Sequence, residues 1–446
     1  MTSWNSENLL DMFPKFGQGI GLHRMLWLVE ELFPHREIPT IKVTGSNGKG
    51  SVCAMLDAVL GALGFKRGLY TSPHLKRLHE RIRWNGKPIG NAAFHREITW
   101  LEERVSGFSE AFPGDRIGGF EALTAMAYHF FLGKNPEALV LEVGIGGRFD
   151  AIRALPGSWV VLASLDLEHT ERLGTDLESI CFQKIDLCPE GGNLVLGSME
   201  DPTLLQRIRY YCRLKNIRLL AVDDRCRLLD CRSDRQGMVL RLGIEDLVFE
   251  GLALGLRGVH QARNAMAALL CLFHFLKQFK PDLNTTGFSE AVRGCFPNIQ
   301  VSGRLERIQK HPEVWIDLAH TPAAVEALVQ AVRPLFGQRE VLLVTGASEN
   351  KNVEALCGRL SVLASEIVCT RAYHLGAPVA RVLAAVQKAR PDLNLHSTET
   401  IEEAVKKVNE IARGRDMTVL VAGGLFLAVE AGEAFAGRDP RRLRFF

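Results

Sequence analysis

"IKVTGSNGKGSVCAML", residues Ile41 to Leu56, is the stretch on which the reading of the fold turns. An apolar run bounded by Pro39 enters a turn holding Gly45, Gly48, Gly50, Lys49 and two serines. Beyond it Val52, Met55, Leu56, Val59, Leu60 and Leu63 recur at helical spacing, with Gly64 as a stop. A strand, a glycine turn and a helix place backbone N–H groups and a positive helix end around an anion. The spacing departs from G-x-x-x-x-G-K-[ST]: Gly45 lies three residues before Gly48, and Gly50 separates Lys49 from Ser51. A glycine-rich turn alone is only a turn. With a strand before it, a helix after it and Lys-Gly-Ser inside it, phosphate binding is expected over Gly45, Asn47, Gly48, Lys49, Gly50 and Ser51. Lys49 would reach the terminal phosphates and the Ser51 hydroxyl would ligate Mg²⁺.

Magnesium takes oxygen ligands, so a carboxylate is expected near that hydroxyl. Glu142, at the tip of the apolar run "LVLEVGIGG", is the best placed. His169, in "SLDLEHTERLG", is either a surface loop histidine or a site residue just past a strand end, among Asp166 and Glu168. Lys184, flanked by apolar residues in "ICFQKIDLC", reads by itself as a snorkelling helix lysine. Cys53 reads as a small apolar residue against the sheet.

Around the phosphate turn, "EALVLEVG" and "SWVVLASL" read as buried strands and "GFEALTAMAYHFFL" as a helix. Alternating strands and helices imply parallel βαβ units whose ligands collect at strand carboxyl ends, where Gly45, Glu142 and Asp166 sit. The more polar stretch 193–256 reads as an antiparallel patch, and 264–279 as a helix. "PNIQVSGRLERIQ" reads as a linker into a second unit with strands "EVWIDLA", "EVLLVTG", "EIVCT", "LNLHS" and "TVLVAGG". The expected architecture is a P-loop ATPase-type domain over 1–296, mostly parallel with a small antiparallel patch, and a Rossmann-like α/β domain over 297–446.

Composition bounds the rest. With 446 residues, two or three domains are expected. A net charge of +3 gives no support for nucleic-acid or membrane partners. The N-terminal stretch holds Glu7 and Asp11 and no run suited to a signal peptide, and "MTVLVAGGLFLAV" (Met417–Val429) is too short to span a bilayer. Ten scattered cysteines match no zinc spacing and read as reduced thiols. A cytoplasmic monomer acting on small molecules is the expectation.

Several segments, in order, carry a resemblance. "FGQGIGLHRM", "VTGSNGKGS", "LYTSPHL", "HERIRWNGKPI", "FEALTAMAYHFF", "LEVGIGGRFDA", "GVHQARNAMAAL", "SGRLERI" and "IDLAHTPAAVEAL" resemble the motifs of the Mur-ligase superfamily, and within it of the folylpolyglutamate synthase/dihydrofolate synthase family. The resemblance implies a ligase that spends ATP to join L-glutamate to a folate, with dihydropteroate as a further candidate acceptor, through an acyl phosphate. It implies that Gly48, Lys49, Gly50 and Ser51 hold ATP, and that Ser51, Glu142 and His169 ligate magnesium. Lys184 matches a lysine that is carbamylated in the family and helps place a second Mg²⁺; Asn264, Arg304 and Asp317 match ATP-contacting positions, with His320 close by. Lys49, Lys184, His169 and His320 are the catalytic candidates.

The pattern also breaks. D-A-T-N becomes Asp150, Ala151, Ile152, Arg153; D-H becomes Glu168, His169; K-A-G becomes Lys184, Ile185, Asp186. A-H-N becomes Ala319, His320, Thr321, a D-K-D-like run becomes Asn350, Lys351, Asn352, and G-S-L becomes Gly423, Gly424, Leu425. Because Ile152, Arg153 and Thr321 could face the substrates, two alternatives stand beside folate: a ligase for a different acid, and a catalytically silent ATP-binding relative.

Overall fold

The computed structural model describes residues 9–14, 21–32 and 38–445. Part of "FGQGIGLHRM" therefore lies outside the described residues. The first sheet has eight strands: β1 (Thr40–Thr44), β2 (Arg67–Tyr70), β3 (Ile82–Trp84), β4 (Lys87–Pro88), β5 (Ala138–Glu142), β6 (Trp159–Leu162), β7 (Asn193–Leu196) and β8 (Arg218–Ala221). Their order is β4-β3-β2-β5-β1-β6-β7-β8, parallel except for the β2-β3-β4 edge.

β1 is central and wholly buried, as a strand flanked by parallel neighbours must be. Its side chains alternate between the two faces of the sheet. Ile41 and Val43 pack with Val52, Leu56 and Val59 of the helix Lys49–Ala62 and with the long helix Val259–Phe279. The other face meets the helices Asn91–Ala111, Gly119–Leu132 and Pro202–Leu214. The register sets Val43 beside Glu142 and Thr44 beside Leu162, so the ends of β1, β5 and β6 form one mouth.

The region 193–256 corrects the sequence reading. Its first part supplies β7 and β8, parallel strands of the main sheet joined by a helix, and only 226–254 is antiparallel: β9 (Cys226–Ser233), β10 (Met238–Ile244) and β11 (Leu247–Leu254). β10 alternates strictly, burying Met238, Leu240, Leu242 and Ile244. The expected linker is likewise partly a strand, β12 (Glu306–Gln309). It lies antiparallel at the edge of a six-stranded sheet with β13 (Glu313–Asp317), β14 (Glu340–Thr345), β15 (Glu366–Cys369), β16 (Asn394–Ser397) and β17 (Met417–Ala422), in the order β12-β13-β17-β14-β15-β16. The apolar stretch Met417–Val429 is β17, a turn at Gly423 and the start of the helix Leu425–Phe435. Among the described residues, no helix is long and apolar enough to cross a membrane. The ten cysteines are free thiols, eight of them buried.

The six-stranded sheet's half of the chain meets the rest through specific contacts. The Arg257 guanidinium lies 4.9 Å from the Trp315 ring centroid, and Arg235 pairs with Glu313 at 3.3 Å. On the opposite side Lys76 pairs with Glu433 at 2.8 Å, and His74 bonds to the Arg444 carbonyl at 2.8 Å.

Candidate active site

The glycine turn sits where β1 ends. Gly45 (φ +149°) approaches β6's exit so closely that a Cβ would stand 3.0 Å from the Ser164 nitrogen. Gly48 (φ +82°) has a left-handed backbone, and a side chain there would strike the Asn264 amide. Ser46 and Asn47 are tied to Ser164 and Asp166 by hydrogen bonds of 2.9–3.1 Å. The helix that follows starts at Lys49 with no side chain capping it, so its first N–H groups are open to an anion. Lys49 Nζ donates to the Gly45 carbonyl at 2.6 Å.

Two orphaned oxygens mark this mouth. Ser51 Oγ is buried with no hydrogen-bond partner, and so is Asp166 Oδ2. Such groups are costly in a dry interior and suit a cation with oxygen ligands. Glu142 is 4% exposed, its carboxylate oxygens 3.8 and 4.0 Å from where a Gly50 Cβ would be, and it accepts the Ser72 N–H at 3.2 Å. Burial pushes its pKa up to about 7 against the pull of Lys49, Arg304 and Arg81. Bound magnesium would restore the anion. Among the described residues no three His, Cys, Asp or Glu side chains cluster as a ready-made metal cage.

His169 takes a left-handed backbone (φ +46°) ahead of the short helix Thr170–Leu173, and burial lowers its pKa, with Glu168 opposing and Lys351 assisting. Lys184 is 1% exposed and donates to Glu168 Oε1 at 2.8 Å. Burial, then the Lys49 charge, brings its pKa down to about 8 despite Glu168. A snorkelling lysine would keep its head in water, so that reading is overturned. The amine is held inside against Glu168, with its hold on the proton weakened.

Asn264 is buried and bonded to Gln261 at 3.0 Å, with its amide against Gly48. Asp317, at the end of β13, accepts the Leu305 and Ala319 N–H groups and feels the Arg304 charge. His320 bonds through Nδ1 to the Leu318 carbonyl at 3.0 Å, and burial lowers its pKa to about 4. One field joins the two halves. The Lys49 charge acts on Glu142, Asp150, Glu168, His169 and Lys184, and the Arg304 charge acts on Glu142, Asp317 and His320.

Some residues had drawn no role from the sequence. Ser72 and Arg81 lie in "TSPHL" and "HERI", quoted only for their resemblance, yet one binds Glu142 and the other adds charge beside it. Asp166 was noted only for its strand-end position, and Lys351 only as a departure. Three departures find structural partners. Ile152 is wholly buried in the core, Arg153 bonds to Asp186, and Thr321 Oγ1 accepts the Ala324 N–H as a helix cap.

Known proteins share this layout. Residues 303–425 match the family model described as Mur ligase, glutamate ligase domain. The chain is 31% identical over 464 residues to the dihydrofolate synthase/folylpolyglutamate synthase of Mycobacterium tuberculosis (strain ATCC 25618 / H37Rv), covering 98% of this chain and 94% of the relative. The Bacillus subtilis (strain 168) protein of the same name is 27% identical over 92% of this chain and 94% of its own. The solved M. tuberculosis folylpolyglutamate synthase, complexed with ADP and AMPPCP, is 28% identical with a TM-score of 0.83, covering 97% of this chain and 98% of that one. These likenesses run nearly the full length of both chains, and the chain belongs to the folylpolyglutamate synthase/dihydrofolate synthase family of ATP-dependent glutamate ligases.

Proposed function

We propose that the protein adds L-glutamate to a folate carboxylate at the cost of ATP, and that it can do the same to dihydropteroate. The solved E. coli relative in complex with DHPP and ADP (25% identical, TM-score 0.81) supports such acceptors. A carboxylate oxygen leaves badly, so the γ-phosphoryl group passes to it first and gives an acyl phosphate and ADP. The amine of glutamate, freed of one proton, then attacks the carbonyl carbon. The C–O bond breaks, inorganic phosphate departs and an amide remains. Negative charge builds on the phosphoryl oxygens and then on the tetrahedral oxygen, so catalysis here is positioning plus positive charge.

Gly45, Asn47, Gly48, Lys49, Gly50 and Ser51 cradle the phosphates, and Asn264, Arg304 and Asp317 hold the nucleotide from its other side. Ser51, Glu142 and His169 would hold magnesium, which screens the phosphoryl charge when bound. His320, whose Nδ1 is spent on Leu318, offers Nε2 to the incoming amine. Lys184, whose pKa is brought down to about 8, gives up its proton more readily than a surface lysine; the neutral amine so formed would add CO₂, lose a second proton and become a carbamate that serves a second magnesium ion. Units 1–296 and 297–446 would close on the nucleotide, since Arg304, Asp317 and His320 belong to the second.

The observation that carries this reading is the buried, unpartnered Ser51 hydroxyl at an uncapped helix start beside Glu142. Incubation with ATP, Mg²⁺, L-glutamate and tetrahydrofolate or dihydropteroate should release ADP only when all four are present, and should yield an acceptor heavier by one glutamyl unit. ADP without that product defeats the reading. The alternative of a non-folate acid drew on Ile152, Arg153 and Thr321, whose side chains are engaged within the protein.

A further inference from the structure

Two departures from the family pattern lie far apart in the chain: Arg153 ends the D-A-T-N run and Asp186 ends the K-A-G run. In the folded protein they meet. Arg153 Nη1 donates to Asp186 Oδ2 at 2.5 Å and to the Asp186 carbonyl at 2.6 Å. The same carboxylate accepts Arg148 Nε at 3.0 Å and the Tyr211 hydroxyl at 2.6 Å, with Lys215 Nζ 3.9 Å away. Desolvation opposes ionisation of Asp186, but the Tyr211 and Arg153 bonds outweigh it and hold the carboxyl below its ordinary range.

Asp186 is the residue that ends the helix Leu177–Ile185, which carries Lys184. The arginines come from the loop and turn that follow β5, and Tyr211 comes from the helix Pro202–Leu214. The Arg148 N–H also donates to the Gln183 carbonyl at 2.8 Å, and Gly147 lies so close that a Cβ would stand 2.6 Å from the Lys184 carbonyl. Three elements are therefore knotted on one carboxylate two residues from Lys184.

We propose that the Arg153–Asp186 pair is a positioning device for Lys184, fixing the end of its helix so that the amine stays aimed at Glu168 and the phosphate mouth. This rests on the role of Lys184 proposed above. On this reading both members act through Lys184 and not on the substrates. The two departures suit each other: without Arg153 the aspartate would keep Arg148 and Tyr211 but lose its shortest ion pair, and without Asp186 the arginine would be left a half-buried cation with no carboxylate.

Arg153→Ala and Asp186→Ala, assayed with ATP, Mg²⁺, L-glutamate and tetrahydrofolate, should each lower kcat by about 10-fold while the KM for ATP stays within about twofold. The double change Arg153→Asn/Asp186→Gly, which restores the family pattern at both positions, should turn over faster than either single variant. With ¹³C-bicarbonate, the NMR signal of a lysine carbamate should be weaker in the single variants. If Arg153→Ala does not fold, Arg153→Lys keeps the cation and should give an intermediate kcat with unchanged KM. Full kcat in the single variants, or a KM for ATP rising in step with the fall in kcat, overturns the pair's role. Lys184→Ala is run alongside. If it keeps full turnover, the reading of the site falls; if it is inactive while Arg153→Ala is unimpaired, only the positioning device falls.

Discussion

The molecule starts the same sentence twice and finishes it differently. β1 runs out through Val43-Thr44-Gly45 and β14 through Val344-Thr345-Gly346, each at the carboxyl end of a buried central strand. In both, the threonine hydroxyl donates to a carbonyl of a neighbouring strand exit, Gly146 at 2.6 Å and Ala422 at 2.9 Å. Beyond the glycine they diverge. The first turn leaves its helix uncapped and buries the Ser51 hydroxyl without a partner. In the second, Glu349 N–H bonds to Leu375, Lys351 N–H to Ser348, and Asn352 Oδ1 caps the helix Val353–Leu360 through the Ala355 N–H. A strand-turn-helix end becomes an anion site only when its donors are left unspent. The second turn has spent its own, and that half contributes side-chain cations instead.

The comparison breaks most sharply at the two lysines. Lys49→Ala should lower kcat/KM by about 10³-fold, about 4 kcal/mol of transition-state stabilisation. Lys351→Ala, in the turn whose backbone is already paired, should cost less than about 10-fold. Steady-state ADP release on both variants checks this, and equal losses would erase the distinction. Next in size is Glu142→Gln, which keeps the shape and the acceptor for Ser72 but removes the anion. A fall of about 10²-fold, with the magnesium titration moved to higher concentration, is expected. An unchanged magnesium midpoint would show that the ion is held elsewhere.

The likeness of the two turns also shows what a sequence discloses. "VTGSNGKGS" and "VTGASENKN" both announce a strand end, and both strands stand where the apolar runs put them. Which of a turn's donors are free depends on residues distant in sequence, such as Leu375 for one and Ser164 for the other, and no local pattern carries that. β3 and β4 were missed although Asn85-Gly86, both at positive φ, is a strong hairpin signal, because strands of three and two residues are too short for periodicity to register. The sequence alone places β7 and β8 in the antiparallel patch because the strand direction in a short run is set by its neighbours, not its composition. Lys184 could be read only through resemblance. The partner that explains it, Glu168, is 16 residues away, and Asp186 was visible merely as a break in the pattern.

The halves can also be tested at their junction. Arg81 Nε donates to His74 Nδ1 at 2.9 Å, which leaves Nε2–H to donate to the Arg444 carbonyl of the second half. Burial, with Arg81 assisting, lowers the folded pKa of His74 to about 4. The unfolded chain, titrating near 6.5, then binds the extra proton first, so stability is lost as pH falls from 6.5 toward 4. Between pH 6.5 and 5 the loss for a fully buried imidazole is at most about 2 kcal/mol. His260 and His320, also lowered to about 4 by burial, add to the slope. His74→Gln should flatten the dependence of the unfolding free energy on pH over that range, whatever it does to the level at pH 7. An unaltered slope would show that His74 is not the residue taking up the proton.

The smallest effect probes the closed turn. Asn352→Ala removes the acceptor from the Ala355 N–H and exposes the start of an eight-residue helix, at a cost of about 1 kcal/mol. The N–H groups of Glu349 and Lys351 in the loop before it remain committed to Leu375 and Ser348, so opening the cap is not expected to create a phosphate site there. Denaturation should report the loss while the KM for ATP stays unchanged. Were the variant instead to gain affinity for nucleotide or inorganic phosphate, the cap alone would be what separates the two turns. The paired loop behind it, together with the absence of a counterpart to Ser51's orphaned hydroxyl among the described residues of that turn, makes the first outcome the expected one.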